Sequence, residues 1–369
     1  MSDPDLALSA PPVNTYPGPE YHTATRLWQG IPSVERASDG RLYATWYSGG
    51  KTEDPDNYAL IVRSDDGGDT WTEPILVVDP PGEVRAFDSN LWTDPLGRLW
   101  FFWAQSHTLF DGRVGVWTVR CDDPAAERLV WSEPRRLANG IMLNKPTVLS
   151  TGEWLLPTAL WRPSSWIAED SPAFGAHPEL DGDRFSNVLV SRDSGESFAL
   201  LGQADVPERV FDEHMIVERR DGSLWMLVRT LYGIGESFSF DRGKTWTAGR
   251  DSGLGGPCSR FFIRRLHSGR LLLVNHHDYT GRNNLTALLS DDDGATWPWK
   301  LLLDGRDNVS YPDGFQAPDG TIQIVYDRER YGAKEILLAR FTEEDIMAGE
   351  PKSAVCRLQH VVNQAGRTL

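Results

Sequence analysis

The sequence predicts an all-β chain folded as a six-bladed β-propeller, and three observations carry that prediction. A strand, a glycine turn and an apolar strand recur six times; a small polar turn ending in tryptophan recurs behind them in fixed phase; and helix signals are sparse.

The first pattern reads "IPSVERASDGRLYATWY", "DSNLWTDPLGRLWFFWA", "LNKPTVLSTGEWLLPTA", "EHMIVERRDGSLWMLVR", "RFFIRRLHSGRLLLVNH" and "YPDGFQAPDGTIQIVYD". Its turn glycines are Gly40, Gly97, Gly152, Gly222, Gly269 and Gly320, separated by 57, 55, 70, 47 and 51 residues. Those intervals suit a four-stranded blade with its loops better than a helical repeat. The blades then fall roughly at 25–80, 85–135, 141–205, 210–250, 257–303 and 308–345 of one domain spanning 1–369.

The second pattern is "SDDGGDTW" (64–71), "SFDRGKTW" (239–246) and "SDDDGATW" (290–297), with a weaker copy, "SRDSGESF", from Ser191 and a decayed one, "CDDPAAERLVW", at 121–131. With strands A to D in each blade, the glycine turn joins A to B and the polar turn joins C to D. Small polar side chains bond the backbone of a tight hairpin, glycine accepts a left-handed conformation, and tryptophan buries a large ring between strands. The motif therefore reads as structural. No copy carries the terminal bidentate glutamate of an EF-hand, so no metal is expected there.

"TEEDIMAG" (342–349), with a Thr N-cap and an acidic first turn, predicts one short helix. Because a propeller must close its ring, either "AVCRLQHVV" near the C-terminus or the segment before Gly30 is expected to complete a blade shared by both ends.

Composition excludes several classes. The 369 residues are 40% hydrophobic, enough for one large core. Acidic residues number 53 against 37 basic, the net charge is −16, and no basic run could track phosphates, so nucleic acid and anionic membranes are poor partners. Cys121, Cys258 and Cys356 are scattered without zinc-type spacing. The first twenty residues lack a basic n-region and an apolar h-region, and no run of 18 apolar residues follows, so the chain as given is expected to be cytoplasmic.

Alternating strand direction places the starts of the A strands, the ends of the B strands and the B–C connections on one face. Nine residues before each turn glycine stand Ile31, Asp88, Leu143, Glu213, Arg260 and Tyr311; seven after it stand Tyr47, Ala104, Ala159, Arg229, His276 and Asp327. The B–C connections add Asp54 and Asp56 in "GGKTEDPDNY" and Arg282 in "HHDYTGRNNL". Acids, arginines and a tyrosine thus converge from blades far apart in sequence. The long third connection, 162–186, is expected to overhang this face and help set specificity.

At these residues the chain resembles the bacterial sialidase superfamily, whose six-bladed propellers carry this polar turn under the name Asp box. The resemblance covers roughly residues 25–345. "SYPDGFQAPDGTIQIVYD" is similar to the segment that supplies the family's tyrosine nucleophile, which implies Tyr311. "EHMIVERRDGSLWMLVR" resembles the segment of its partner glutamate and one arginine, implying Glu213 and Arg229, and "GRNNLTALLSDDDGATW" that of a further substrate-clasping arginine, implying Arg282. Asp54, ten residues before Ser64, lies near the place of the family's acid/base aspartate, with Asp56 the other candidate. A phenol activated by glutamate can approach an anomeric carbon bearing a carboxylate that would repel an anionic nucleophile, and paired arginines hold that carboxylate. The implied activity is exo-acting, retaining cleavage of a terminal sialic acid or related acidic sugar from a glycan, with no cofactor.

One departure stands out. The family begins blade one with Arg-Ile-Pro, the first of three carboxylate-binding arginines, whereas this chain has Gly30-Ile31-Pro32. Arg85, Lys145 and Arg260 are the candidate replacements, with Asp88 and His277 as further substrate contacts. Asp boxes also occur in other hydrolases, in lyases and in non-catalytic proteins. A polysaccharide lyase or a uronide- or rhamnoside-directed glycosidase using His276, His277 and Tyr279 is therefore one alternative. A glycan-binding propeller that stacks sugars on some of its 15 tryptophans is another.

Overall fold

The structure, a computed structural model, describes residues 5–162 and 176–367. Six antiparallel sheets, each formed from consecutive stretches of chain, are arranged as the blades of a propeller. Blade one comprises Gln29–Arg36, Leu42–Ser48, Tyr58–Ser64 and Leu76–Val78, and blade six Val309–Gln316, Ile322–Arg328, Glu335–Phe341 and Arg357–Gln364.

All six A–B glycines have positive φ, between +80° and +100°. At each, the glycine N–H donates to the residue three before it, as from Gly97 to Asp94 O and from Gly320 to Ala317 O. A side chain there would be strained, and this explains the residue type at the one place the repeat never varies.

The Asp box folds the same way in each copy. In the blade-four copy, Ser239 Oγ donates to Asp241 and accepts from Gly243 N–H (2.8 Å), while Asp241 accepts from the Thr245 amide and hydroxyl (2.9 and 2.6 Å). The Thr245 hydroxyl first, and its amide next, hold the Asp241 carboxyl down to about 2. The box also reaches the preceding blade. A Cβ on Gly68 would meet Leu338 of blade six, on Gly195 Trp100 of blade two, on Gly243 Leu201 of blade three, and on Gly294 Trp225 of blade four. In the decayed blade-two copy, the carbonyl of Pro124 still accepts from Tyr43 of blade one (2.6 Å), and in blade six the helix Glu343–Ala348 takes the place of the box, Glu343 pairing with Arg270 of blade five. The sequence reading of a hairpin latch was thus incomplete: the C–D turn also fastens each blade to its neighbour.

Ring closure differs from expectation. No blade is shared: Arg357–Gln364 is the outer strand of blade six, and Val13–Asn14 adds a fifth strand to blade one. The two termini meet instead through side chains, Arg26 donating to Asn363 (2.7 Å) and Asn363 to Thr23 (3.0 Å). The short helix forms at Glu343–Ala348, with a Thr342/Asp345 capping box. Among the described residues no helix is long and apolar enough to cross a membrane.

The axis is polar and closed. Arg260, fully buried, donates to Asp313 (3.1 Å), Asn144 (2.6 Å) and the carbonyls of Pro32 and Leu143. Lys145 pairs with the other oxygen of Asp313 and with Glu35 (both 3.2 Å) and donates to the carbonyls of Val34 and Leu91. Asn144 in turn donates to the carbonyls of Glu213 and His214. All six blades therefore meet in one network of two cations and two anions.

Two stability predictions follow from this packing. Asp313→Asn leaves two buried cations short of a partner and should cost about 3–5 kcal/mol, read by urea unfolding. Gly294→Ala combines a φ of +89° with a Cβ placed 2.6 Å from Trp225 and should cost about 1–3 kcal/mol, whereas Gly182→Ala, which meets nothing within 4 Å, should leave the midpoint unchanged.

Candidate active site

Blades one, two and six begin with the same β-bulge: two residues oppose one on the next strand between Gly30 and Ser33, between Phe87 and Asn90, and between Ser310 and Asp313. The first residue in each bulge is left-handed, Ile31 at φ 63°, Asp88 at 46° and Tyr311 at 57°. Glu213 occupies the matching position of blade four at φ 40° and closes a left-handed run with Phe211 (58°) and Asp212 (52°). Four of the six positions nine before a turn glycine are thus held in a conformation that non-glycine residues avoid. The hold is explicit around Glu213. Trp161 Nε1 donates to Phe211 O (2.9 Å), Arg229 N–H to Asp212 O (2.8 Å), and the Asp212 carboxylate is paired with Arg209 (2.8 Å) and Ser186 (2.7 Å).

Tyr311, Glu213 and Arg229 meet in a buried triangle. The Tyr311 hydroxyl donates to Glu213 Oε1 (2.9 Å), and Arg229 Nη1 donates both to that oxygen (2.8 Å) and to the phenol oxygen (2.9 Å). Glu213 Oε2 is buried without a partner among the described residues. Burial, and then the charge of Glu213, push the Tyr311 phenol up to about 12, while Arg229, Arg282 and Arg330 pull the other way. At neutral pH it is a phenol hydrogen-bonded to a carboxylate.

Arg282 joins this group from its B–C connection, its guanidinium carbon 5.5 Å from the Tyr311 ring centre and its Nη2 donating to Cys258 O (3.1 Å). Among the described residues Arg282 has no carboxylate partner. Cys258 also accepts from Arg229 Nε through its sulfur (3.4 Å), so one cysteine orients both arginines.

Asp88 is almost fully buried, and burial first, with Glu53 and Glu213 next, pushes its carboxyl up to about 7. Asp54 is differently employed. Its oxygens accept from the amides of Lys51, Thr52 and Asp56, and its own amide donates to Asn57, so the carboxylate folds the loop that carries it. Asp56 is exposed on the same loop. Arg85, stacked 3.7 Å over Phe87, donates to Asn57 and to Leu109 O and braces that loop from beneath.

Other expected contacts lie elsewhere. Arg260 and Lys145 do not reach a substrate: both are spent inside the axial network, where a charge without a carboxylate partner would be costly. His277 is turned outward and accepts from Lys300 (2.7 Å). His276 is buried, its Nδ1 donates to Asn283 O (2.8 Å), and burial lowers it to about 4; Tyr279 is exposed. The histidine–tyrosine arrangement proposed for a lyase is not assembled. Of the 162–186 connection, residues 163–175 lie outside the described residues, and in the remainder Arg184 ties Gly112 O to Trp161 O.

Arg330 was missed. It stands just past the second strand of blade six, its guanidinium carbon 4.4 Å from the Tyr311 ring centre, paired with Asp327 (2.8 Å) and Glu53 (3.1 Å). A cavity of about 400 Å³ opens between Arg282, Asn308, Ser310, Glu329, Arg330 and Tyr331. The signal was available, since "DRERYGAKE" is the blade-six B–C connection, on the same face as Asp54 and Arg282.

Comparisons agree with this architecture. Residues 40–324 match the model of the BNR repeat-like domain. A search of curated proteins found no match. Among solved structures, a Hadza microbial sialidase is similar at 20% identity and a TM-score of 0.68, over 88% of this chain and 68% of that one. The NanB sialidase of Streptococcus pneumoniae (14%, TM-score 0.65) is covered over 71% of its chain and 90% of this one. The intramolecular trans-sialidase of Ruminococcus gnavus (14%, TM-score 0.65) is covered over 98% of its chain and 90% of this one. At such identities the likeness is one of fold, and with the family match over most of its length the chain belongs to the BNR repeat-like family and folds as a sialidase-type six-bladed propeller.

Proposed function

We propose that this protein is an exo-acting, retaining glycoside hydrolase of sialidase type that releases a terminal sialic acid or a related acidic sugar from a glycan. The observation that carries the reading is the triangle of Tyr311, Glu213 and Arg229, with all three separations between 2.8 and 2.9 Å. Tyr311 attacks the anomeric carbon as its proton passes to Glu213, forming a glycosyl–tyrosine bond as the glycosidic bond breaks. A phenol held near 12 cannot supply a standing anion at neutral pH, so the base is required in the same step. Arg229 and Arg282 face the substrate carboxylate and fix its orientation by paired hydrogen bonds. Water then cleaves the intermediate, its proton passing to the carboxylate that had protonated the leaving oxygen while Glu213 returns its own proton to Tyr311.

The leaving oxygen needs a proton. Asp54 was the expected donor, and its engagement with its own loop argues for the neighbouring carboxyl instead. Asp88, held at about 7, is partly protonated at neutral pH and feels the charges of Glu53 and Glu213, so we assign proton donation to Asp88 and loop bracing to Asp54.

Tyr311→Phe should lower kcat on a fluorogenic sialoside to background, and hydrolysis surviving that change would end the reading. Proton NMR of the first product should show the anomer of the substrate. Asp88→Asn should lower kcat/KM about 10²–10⁴-fold on an alkyl sialoside and far less on an aryl sialoside, whose leaving group departs unprotonated. Because the donor must carry its proton, wild-type kcat/KM on the alkyl substrate should fall as pH rises through about 7. If Asp54→Asn rather than Asp88→Asn shows this dependence on the leaving group, the assignment reverses.

A further inference from the structure

Gly30 is the one bulge-flanking position at the site with no side chain, and the space beside it is filled. A Cβ built on Gly30 would lie 2.5 Å from Arg330 Cδ and 3.0 Å from its Cγ and Nε. The stem of Arg330 therefore occupies the volume that any side chain at position 30 would need. It is locked there. Asp327 accepts from Arg330 Nε (2.8 Å), from the Ile31 amide (2.8 Å) and from Ser310 Oγ (2.8 Å), tying the arginine to the bulges of blades one and six at once.

We propose that Arg330 is the third guanidinium of an anion clamp, entering from blade six through the space that Gly30 leaves open. Arg229 from blade four and Arg282 from the blade-five connection complete it. The three guanidinium groups surround one ring: Arg229 bonds the Tyr311 hydroxyl, and Arg282 and Arg330 lie 5.5 and 4.4 Å from its centre. Arg282 and Arg330 also line the cavity of about 400 Å³ beside it. The ligand chemistry that matches is a single carboxylate on a sugar ring. Two or more phosphate charges are disfavoured, because Glu213, Asp327 and Glu53 already offset part of the cationic charge.

The clamp carries a built-in competitor. Arg330 Nη1 is shared with Glu53 (3.1 Å), on the loop that Asp54 folds, the Glu53 side chain is 38% exposed, and Nη2 donates to Ser310 Oγ (3.3 Å). A carboxylate bound through both terminal nitrogens competes with Glu53 for Nη1, so clamp occupancy is coupled to the 49–57 loop.

This inference rests on the glycosidase reading for its choice of ligand, and the experiment separates the two. Calorimetric titration would use the unsaturated, planar-ring analogue of sialic acid and its methyl ester, which lacks the charge. Arg330→Ala should weaken binding of the acid about 10- to 100-fold and leave the ester nearly unaffected. Gly30→Arg combined with Arg330→Ala should restore most of the acid affinity, since the vacated space then accepts an arginine from blade one. Glu53→Gln should tighten the acid about 2- to 10-fold by removing the competitor. Equal losses for acid and ester in Arg330→Ala, or a double variant no better than Arg330→Ala, would overturn the proposal and leave Arg330 a brace. A wild-type protein that binds the acid but cleaves no sialoside removes the hydrolase reading and keeps the clamp; one that binds neither ligand removes the clamp.

Discussion

The buried ionic network on the axis is the constraint on which the rest of the molecule depends. Inner strands of six sheets cannot close on an apolar core at the hub, because each presents main-chain carbonyls and amides at a point where no seventh strand can pair with them. Arg260, Lys145 and Asn144 satisfy those groups from above and below Asp313, and Glu35 balances the second cation. The same atoms position the site: Asn144, held by Arg260, grips the carbonyls of Glu213 and His214, so Glu213 is one hydrogen bond removed from the hub. Polar groups at a propeller axis read from sequence as ligands, and in this chain Arg260 and Lys145 are structure.

Above the hub the backbone is strained in register. Left-handed Ile31, Asp88, Glu213 and Tyr311 each cost on the order of 1–3 kcal/mol. The cost is offset by what surrounds them, because the bulge turns a side chain that would alternate into a neighbouring sheet toward the common hollow instead. Asp327 on the Ile31 amide, and Trp161 and Arg229 on the Phe211–Glu213 run, are the interactions that sustain it. The outer latches act on a different scale. By packing its glycine against the preceding blade, each Asp box fixes the angle between sheets, and so the distance between residues contributed by blades four and six.

Much of this was legible in the sequence, for a physical reason. Turn chemistry is local: a glycine needing φ near +90° and a Ser–Asp–Thr set bonding its own hairpin write themselves into a few consecutive residues, and their spacing gave blade number and strand direction. From direction alone followed the face and the positions on it that include Tyr311, Glu213 and Arg229; the resemblance singled those three out. The reading of Arg260 as a substrate contact fails for a physical reason. Arg260 sits nine before a turn glycine just as Glu213 does, yet its φ is ordinary and its side chain turns down into the hub rather than up into the hollow. Nothing at that position distinguishes the two; the difference is made by Asp313, on another blade. Asp54 shows a second limit: its carboxylate accepts from the amides of its own loop, whose closure the spacing did not reveal.

A site assembled from several blades constrains where a charged group ends, not where its chain begins. Arginine has a long stem, and at the hub of a propeller the B–C connection of blade six and the start of blade one lie side by side, so a guanidinium can reach the same volume from either. Occupation is exclusive, because the Arg330 stem and any side chain at position 30 overlap within 2.5 Å. The glycine is therefore the condition for the arginine rather than a lost function. Nor is the substitution neutral in consequence: an arginine rooted in blade six shares Asp327 with the bulge that carries Tyr311 and shares Glu53 with a loop of blade one. On the proposed reading, that joins the hold on the substrate, the placement of Tyr311 and the 49–57 loop through one side chain.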